Sequence, residues 1–521
     1  MAGARGRSHL ARGAAILCFL SACPPTSLAN PWQDAIGYSL LSERLSPTSL
    51  PTGDGIAVTQ VEAPDGSGNY LAESGNNTFP AATASFTGKM FTAHSGSSAA
   101  SGHANTVARF FFGNNTDPAQ GVASIAPGIT NISGYNASDY LTFFLGFGAS
   151  PPATENGRIQ NHAWITTSPG FFVNNQIQRF DFAIARDDFL AITGMNNGGT
   201  IPYHMVTGYN AIAIGRSDGG HSIGVTPSGV DGPGRIKPEL VAPQNTTSWA
   251  TGIVSSAAAL LFQVANDEPA LADANHADTI KAILLAGATK EEFPNWTRLQ
   301  SRPLDTTYGA GELNINHSHT ILTGGKQSPL PANANPTGWD RRTANPANPI
   351  VYHFTIPAGT IAEEFSAFLV WHRQLSFNSG TLTPSLANLD LVLKSATGTV
   401  IDSSHGSLHN LEHIHSRNLP PGAYRLEITA DTAVPFALAW RSTCGPGPDL
   451  ASKPNGNALD FTCSNLDPNA TYQIMTSIDL ITWTPAHTFS PANTTHTWTD
   501  PNSTGHCKFY SLHWTVPAAA P

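Results

Sequence analysis

Short apolar runs alternate with longer helix-like segments over the first two thirds of the chain. The run 56–61 follows the turn 51–55 and has the β-branched composition of a strand. The runs 191–193 and 211–215 are compact and apolar and lie close to glycines, whereas 255–265 is a helical stretch of small and apolar residues. This alternation predicts an α/β fold, in which a parallel sheet is covered by helices on both faces. Chemistry on such a sheet gathers at the carboxyl ends of the strands.

The pattern changes in the last third of the chain. Residues 328–349 are rich in proline and asparagine and lack periodicity, which predicts a linker. Residues 350–443 contain strand-like runs separated by glycine, proline and asparagine turns, which predicts a β-sandwich or jelly roll. Residues 444–521 predict a second, smaller all-β unit. The predicted organisation is therefore an α/β domain over residues 31–327 followed by two all-β domains.

The N-terminal segment has the features of an export signal. Three arginines precede the apolar stretch 13–22, and small residues at 27–29 suit a cleavage site, so residues 1–29 are predicted to be a signal peptide. The sequence LSAC also resembles a bacterial lipobox, in which Cys23 would be lipidated. Free secretion and lipid anchoring both stay open, and the predicted location is secreted, periplasmic or at the cell surface. No later apolar run predicts a membrane-spanning helix.

Composition limits the partners and the metal chemistry. Charged residues make up 12% of the 521-residue chain and the formal net charge is −10, which disfavours nucleic acid and anionic membranes. Cys444, Cys463 and Cys507 lie near the C-terminus. In an exported protein they predict one disulfide, whose pairing the sequence leaves open. Their spacing, without companion histidines, argues against a zinc site.

The strongest chemical signal is a serine ahead of the small-residue helix. The segment 237–243 (KPELVAP) is followed by 246–252 (TTSWATG), and Ser248 lies where the N–H groups of a helix end point outward. Such donors can stabilise the oxyanion that forms when a serine attacks a carbonyl. The alternative interpretation is that Ser248 only caps the helix, which serine does well.

These segments resemble the serine region of the subtilases, whose motif is Gly-Thr-Ser-Met-Ala-Thr-Pro after a Lys-Pro-Asp run. The segment 103–109 (HANTVAR) is similar to the family's His-Gly-Thr-His-Val-Ala-Gly, although the first glycine and the second histidine are missing. The segment 55–62 (GIAVTQVE) is similar to the family's strand that ends in aspartate, here replaced by glutamate. The resemblance covers roughly residues 50–325 and keeps the family's order of acid, histidine and serine.

The resemblance implies a role for each of these residues. Ser248 would be the nucleophile, His103 the general base, and Glu62 the acid that orients the histidine. Asp54 and Asp65 are alternatives for the acid, but both are out of register with the family's strand. Glutamate places its carboxylate roughly 1.5 Å further from the backbone than aspartate does, so the local backbone must compensate.

Two further segments fit the family in order. The turn 190–199 (LAITGMNNGG) resembles the one that carries the family's oxyanion asparagine, and the Asn-x-Gly spacing selects Asn196, with Asn197 as the second choice. The segment 159–164 resembles the strand whose backbone pairs with substrate. It implies substrate contacts by Asn161, Ala163 and Trp164.

The sequence therefore predicts an exported serine endopeptidase that works through an acyl-enzyme, as a monomer, on protein or peptide substrates. No cofactor is predicted. Calcium sites are frequent in subtilases, so calcium is possible by this resemblance, but the sequence contains no Asp-rich ligand loop that would bind it. Activity should fall below about pH 6, where a histidine base is protonated.

Two rival functions remain, one suggested by the changes within the motifs (Glu62 for aspartate, and the lost glycine and histidine after His103) and one by the β units. One is a catalytically inactive binding module, and the other is a surface adhesion protein whose β units carry the function. Residues 350–443 resemble the jelly-roll modules that many bacterial subtilases carry, which implies a stabilising or substrate-docking role. Under the protease hypothesis, deletion of residues 345–521 should leave peptidase activity.

Overall fold

The computed structural model describes residues 31–114, 124–166, 173–227, 229–468, 470–501 and 508–515. The predicted signal peptide 1–29, with Cys23, and also Cys507 lie outside the described residues. Cys444 is exposed and Cys463 is buried, and both are free thiols in the described part of the chain. The predicted disulfide therefore does not join these two cysteines.

Ten strands belong to the N-terminal domain. In chain order they are β1 (Val58–Glu62), β2 (Thr78–Pro80), β3 (Met90–Ala93), β4 (Asn131–Asn136), β5 (Ile159–His162), β6 (Leu190–Gly194), β7 (Ile212–Arg216), β8 (Gly224–Val225), β9 (Ile236–Lys237) and β10 (Leu240–Ala242). Eight of them form one sheet in the order β10-β7-β6-β5-β1-β4-β3-β2, and β8 pairs with β9 separately. The large sheet is parallel except for the antiparallel pair of β2 and β3.

Helices cover both faces of this sheet. They are α1 (Pro31–Ala35), α2 (Tyr38–Arg44), α3 (Gly102–Phe111), α4 (Ala137–Asp139), α5 (Val173–Asp187), α6 (Thr247–Asp267), α7 (Ala277–Gly287) and α8 (Ile315–Thr323). Short 3₁₀ turns lie at Ala84–Phe86, Met205–Thr207 and Pro269–Ala274, and one π turn lies at Tyr140–Phe144. In β6, Ile192 packs in the core cluster that contains α6, and Ala191 packs in the cluster on the α5 side. The predicted α/β fold class is confirmed.

The strands predicted from apolar runs are also confirmed. Every residue of β1, β5 and β6 is buried, as expected for strands enclosed between two helical layers. The predicted helix 255–265 lies in the second half of α6, which runs through the core of the domain.

Helix α6 differs from one expectation. It is the single described helix that is long and apolar enough to cross a membrane by length and composition, whereas no such run was expected from the sequence. Its apolar stretch is 78% buried within the domain, as in the core helix of a globular fold.

The second unit consists mainly of two four-stranded antiparallel sheets packed face to face. Its strands are β11 (Gly338–Thr343), β12 (Ile350–Ile356), β13 (Thr360–Trp371), β14 (Gln374–Asn378), β15 (Thr381–Ser385), β16 (Leu389–Ser395), β17 (Val400–Ser404), β18 (Leu411–Leu419), β19 (Gly422–Ala430) and β20 (Pro435–Pro446). The two sheets have the orders β11-β20-β13-β18 and β12-β19-β16-β17, and β14 pairs with β15 in a separate hairpin. Alternate residues of β16 enter the core, which is the period of a strand with one buried face.

The boundaries of this sandwich differ from the predicted ones. The segment 328–349, predicted as a linker, contains β11, which pairs with β20. Strand β20 itself runs across the predicted boundary at residue 443. Strand β11 carries polar and charged residues beside its buried Trp339, so its apolar pattern is too weak to mark a strand within a proline-rich stretch.

The last unit is smaller and has its own core. Its strands are β21 (Asp449–Asn455), β22 (Ala458–Ser464), β23 (Thr471–Ser477), β24 (Thr484–Phe489), β25 (His496–Asp500) and β26 (Phe509–Thr515). They form two three-stranded antiparallel sheets in the orders β21-β22-β25 and β24-β23-β26. Phe461 and Tyr472 lie at the centre of the cluster between them.

Candidate active site

The acidic residue of the strand motif lies at the carboxyl end of β1. Glu62 is the last residue of the strand, and its side chain is buried. Gln60, two positions earlier on the same face, donates from Nε2 to Glu62 Oε1 at 3.0 Å and to the carbonyl oxygen of Ala104 at 2.9 Å. Gln60 therefore holds one carboxylate oxygen and joins β1 to α3. The sequence reasoning missed Gln60, although the two-residue period of a strand places it beside Glu62.

The histidine of the second motif lies at the start of α3. Ser101 caps this helix by accepting the N–H of Ala104, and His103 is the second helical residue. Its Nδ1 lies 2.8 Å from Glu62 Oε2. This hydrogen bond, helped by the charge of Glu62 and opposed by partial burial, raises the pKa of His103 above its ordinary value. Of the three acids considered, Glu62 contacts the imidazole, whereas Asp65 accepts N–H groups of its own turn.

The serine of the third motif faces the other nitrogen of this imidazole. Ser248 Oγ lies 3.0 Å from His103 Nε2 and 3.3 Å from the carbonyl oxygen of Ala163. The cap of α6 is Thr246, whose side chain accepts the N–H of Trp249. The interpretation of Ser248 as a helix cap is therefore wrong, because Thr246 performs that role and the Ser248 hydroxyl points to His103.

A close crossing of α3 and α6 brings these two side chains together. Gly252, one turn after Ser248, stands where the family's motif has proline. A Cβ at this position would lie 2.9 Å from the carbonyl oxygen of Val107 and 3.0 Å from Cβ of Phe110. The missing side chain therefore permits the short distance between the two helices. Trp249 stacks against Phe110 at the same crossing, with ring centroids 6.0 Å apart.

Two asparagines follow β6, and their hydrogen bonds differ. Asn196 Nδ2 donates to the carbonyl oxygen of Thr200 at 3.4 Å, within the same turn. Asn197 Oδ1 accepts the N–H of Thr247, the first residue of α6, at 2.8 Å. The side chain of Asn197, rather than that of Asn196, is therefore held against the start of the helix that carries Ser248. The Asn-x-Gly spacing fits both residues, and the sequence analysis selected Asn196. In the structure the side chain of Asn196 bonds within its own turn instead of contacting α6.

A cleft of about 360 Å³ opens in front of these residues. Its walls come from segments 63–65, 163–165 and 194–197, and from the serine and histidine themselves. Of the three residues predicted to contact substrate, Ala163 and Trp164 line this cleft, but Asn161 does not. Asn161 is fully buried, its Nδ2 donates to Ser255 Oγ at 2.9 Å, and its strand lies between β1 and β6. The predicted substrate contact of Asn161 is corrected, because β5 already has a partner on each side.

The described residues contain no cluster of three or more His, Cys, Asp or Glu side chains arranged to hold a metal ion. The side chains that meet at the cleft are a carboxylate, an imidazole and a hydroxyl.

No protein-family model matches the chain, and no curated protein matches it in sequence. Similar solved structures include the prenylagaramide maturation protease PagA, which is 19% identical over 52% of this chain and 94% of that chain, with a TM-score of 0.34. The patellamide maturation protease PatA is 19% identical over 52% of this chain and 98% of that chain, with a TM-score of 0.32. The PatG macrocyclase in complex with peptide is 14% identical over 54% of this chain and 97% of that chain, with a TM-score of 0.33. Likenesses this distant do not assign the chemistry of the site.

Proposed function

We propose that the chain is a serine endopeptidase of the subtilisin-like type that cleaves peptide bonds through an acyl-enzyme. The observation that carries the proposal is a continuous series of contacts at the cleft. It runs from Glu62 Oε2 to His103 Nδ1 at 2.8 Å, and from His103 Nε2 to Ser248 Oγ at 3.0 Å. A carboxylate, an imidazole and a hydroxyl in this sequence of contacts form the proton relay of a serine hydrolase.

In the proposed mechanism Ser248 Oγ attacks the carbonyl carbon of the scissile bond. His103 Nε2 takes the hydroxyl proton and later gives it to the leaving amine. Glu62 accepts the Nδ1–H hydrogen bond, which selects the tautomer that leaves Nε2 free to act as the base. Gln60 holds the other oxygen of Glu62, so the longer glutamate side chain keeps one orientation.

We propose Asn197, in place of Asn196, as the side chain that stabilises the oxyanion. Its Oδ1 is engaged by Thr247, which leaves the Nδ2 hydrogens for the carbonyl oxygen of a substrate. The N–H of Ser248 lies in the first turn of α6, where backbone N–H groups have no acceptor within the helix. Removal of one such donor costs about 10²–10³ in kcat.

The shape of the cleft supports an extended peptide as substrate. The carbonyl of Ala163 faces Ser248 Oγ, so a main chain lying along 163–165 would bring its own carbonyl carbon to the nucleophile. Trp164 and Ile165 supply apolar wall, and Asp65 and His103 are the ionisable side chains among the described lining residues. This lining favours an uncharged residue before the scissile bond. Mass spectrometry of fragments from a casein digest would measure that preference.

Several properties of the whole chain remain part of the proposal. We propose export because segment 1–29 resembles a signal peptide. The exported protein would then be either released or anchored by a lipid on Cys23. The proposed chemistry uses no cofactor, and action as a monomer is likewise part of the proposal.

A fluorophosphonate probe tests the proposal directly, because it reacts with an activated serine. The wild-type protein should be labelled on the peptide that contains Ser248, and Ser248→Ala should not be labelled. His103→Ala should lose about 10⁶ in kcat, since nucleophile and base act as one unit. Ser67→Ala, at an exposed position in the loop after β1, is the matched control and should be labelled like the wild type. A folded wild-type protein that takes up no label would contradict the proposal and favour the rival of a catalytically inactive protein.

A further inference from the structure

Asn197 precedes a glycine, and this pair lies at the edge of the cleft. Asn197 is exposed. Gly198 has a φ of +97°, and apart from its chain neighbours no atom lies within 4 Å of the place where its Cβ would be. Gly198 therefore has no side chain of its own beside its peptide nitrogen, and no distant residue packs on its Cα.

An asparagine followed by glycine can lose its side-chain amide without an enzyme. The backbone nitrogen of the glycine, having lost its proton, attacks Cγ of the asparagine; the new N–Cγ bond closes a cyclic imide, and Nδ2 leaves as ammonia. Water then opens the imide at either carbonyl and leaves aspartate or isoaspartate. The net reaction consumes one water, releases one ammonia and turns a neutral amide into a carboxylate.

The surroundings of Asn197 favour the first of these steps. Negative charge develops on Oδ1 as Cγ is attacked, and Oδ1 already accepts the N–H of Thr247 at 2.8 Å. Thr247 opens the 21-residue helix α6, whose N-terminus carries partial positive charge. The helix end that would stabilise a substrate oxyanion thus also activates the amide of Asn197.

One hydrogen bond of the Gly198 N–H opposes the reaction and must break before the nitrogen can attack. The N–H of Gly198 donates to the carbonyl oxygen of Asn196 at 2.9 Å, which keeps the nitrogen engaged. The turn must open before attack. Gly198 and Gly199 both have positive φ and carry no side chains. Opening the turn therefore breaks few packing contacts and should cost little free energy.

The sequence contains three Asn-Gly pairs, which allows an internal comparison. The N–H of Gly157 donates to Glu155 Oε1 at 2.6 Å, so the pair at Asn156 is held by a charged acceptor. The pair at Asn455 lies in the hairpin turn between β21 and β22, far along the chain from the cleft, and Asn455 Nδ2 donates to Asp460 Oδ2. Among the described residues, no N–H at the start of a helix donates to Oδ1 of Asn156 or of Asn455, as Thr247 does to Oδ1 of Asn197.

We infer that Asn197 is a site of spontaneous deamidation and that its conversion inactivates the enzyme. A carboxylate at this position would repel the oxyanion that the amide is proposed to stabilise, so the protein would lose activity with age. The loss of activity rests on the proposed function, whereas the modification itself does not.

The modification is measured on the Ser248→Ala protein, which cannot digest itself. The folded full chain is kept at mildly alkaline pH in water enriched in the heavy oxygen isotope, and its peptides are followed by mass spectrometry. Asn197 should gain heavy oxygen faster than Asn455, and Asn156 should be the slowest. Gly198→Ala places a Cβ next to the attacking nitrogen and should slow conversion at Asn197 while conversion at Asn455 stays the same. Conversion of Asn455 with Asn197 intact would overturn the inference.

The effect on activity is measured on the wild-type protein. Its kcat should fall in proportion to the converted fraction, and freshly prepared Asn197→Asp should lose about 10²–10³ in kcat. Conversion without loss of activity would overturn the inactivating effect and remove Asn197 from the oxyanion site. Labelling of Ser248 by the fluorophosphonate probe would still test the protease assignment separately.

Discussion

The proposed active site and the interface between the α/β domain and the sandwich both bring ionisable side chains together, but they differ in exposure. The side chain of His103 is 47% exposed, and that of Glu62 is 1% exposed. At the interface, Arg373 lies between Asp181 and Asp231, with exposed fractions of 4%, 0% and 3%. A base must exchange protons with its substrate and therefore stays accessible. A guanidinium keeps its charge in any ordinary pH and can be buried to join two units.

The interface is extensive as well as charged. Besides the Arg373 pairs, the ion pairs across it are Lys290–Glu364, Arg298–Asp402 and Arg341–Asp278. Apolar side chains of the sandwich, among them Phe368 and Val370, belong to the same core cluster as α6 and α7. The last β unit instead has a separate cluster. The sandwich therefore completes the core of the α/β domain, whereas the last unit does not.

The largest expected effect is that of deleting the sandwich. Removal of residues 328–521 would uncover the apolar surface of α7 and take away Arg373, the cation between Asp181 and Asp231, so we expect insoluble or unfolded protein. Removal of 449–521 should leave the melting temperature and activity of the remainder close to those of the full chain. Circular dichroism and fluorophosphonate labelling of the two truncations measure this. Because of this interface we no longer expect deletion of residues 345–521 to leave peptidase activity, as the sequence alone suggested. A folded and active protein after deletion of 328–521 would contradict this revised expectation.

The next largest effect concerns the acid of the site. Glu62→Gln keeps the shape of the side chain but presents an N–H donor to His103, which selects the wrong tautomer and should lower kcat by about 10⁴. Because the change lies at the carboxyl end of β1 and removes no apolar side chain from the core, the free energy of unfolding should change far less than in the interface variants. Asp65→Asn, at the rim of the same cleft, is the control and should keep wild-type kcat. Equal losses in both variants would contradict the role given to Glu62.

The cation of the interface should affect stability and leave catalysis intact. Arg373→Met leaves two buried carboxylates unpaired, which should cost about 3–5 kcal/mol in the free energy of unfolding. Arg216→Met breaks a pair with Asp218, whose side chain is 53% exposed, and should cost no more than about 1 kcal/mol. Denaturant unfolding of both variants measures the difference, and kcat well below the unfolding transition should match the wild type. A small cost for Arg373→Met would show that the interface is held by its apolar contacts alone.

A smaller effect is expected from filling the crossing of α3 and α6. Gly252→Ala introduces a Cβ at 2.9–3.0 Å from atoms of α3, so the helices must separate by a few tenths of an ångström. Misplacement of Ser248 relative to His103 by that amount should lower kcat about tenfold with little change in KM. Gly102→Ala, at the start of α3, meets no atom within 4 Å and is the control. Unchanged kcat in Gly252→Ala would mean that the crossing does not set the distance between base and nucleophile.

The smallest effect is a shift in the pH profile. His103 acts as a base only when neutral, so activity falls as pH drops through its pKa. Because Glu62 raises that pKa, the acid limb should lie above the value of about 6.5 for a free histidine, and so above the limit near pH 6 expected from the sequence alone. In Glu62→Gln the raising contact is gone, and the residual activity should show its acid limb at lower pH. A limb that does not move between the two proteins would exclude His103 as the titrating group.

Much of the site could be predicted because it lies in local patterns. The strand ending in Glu62, the helix beginning near His103 and the helix that follows Ser248 are each visible in short local patterns, and their order resembles that of the subtilases. Asn196 was preferred over Asn197 because spacing cannot show which amide a turn directs towards α6. Asn161 was expected to contact substrate because the sequence does not show that β5 has strands on both sides.

The amino-acid sequence alone determined the periodicity of the elements, the α/β class and the three side chains able to relay a proton, since these depend on residue type and short spacing. The tertiary structure decided which asparagine reaches the nucleophile helix, how Gln60 steadies the longer acid, and that the sandwich shares a core with the α/β domain. Those properties depend on distances between residues far apart in the chain. Such distances exist only after packing, when one missing side chain or one buried charge determines how closely two elements approach.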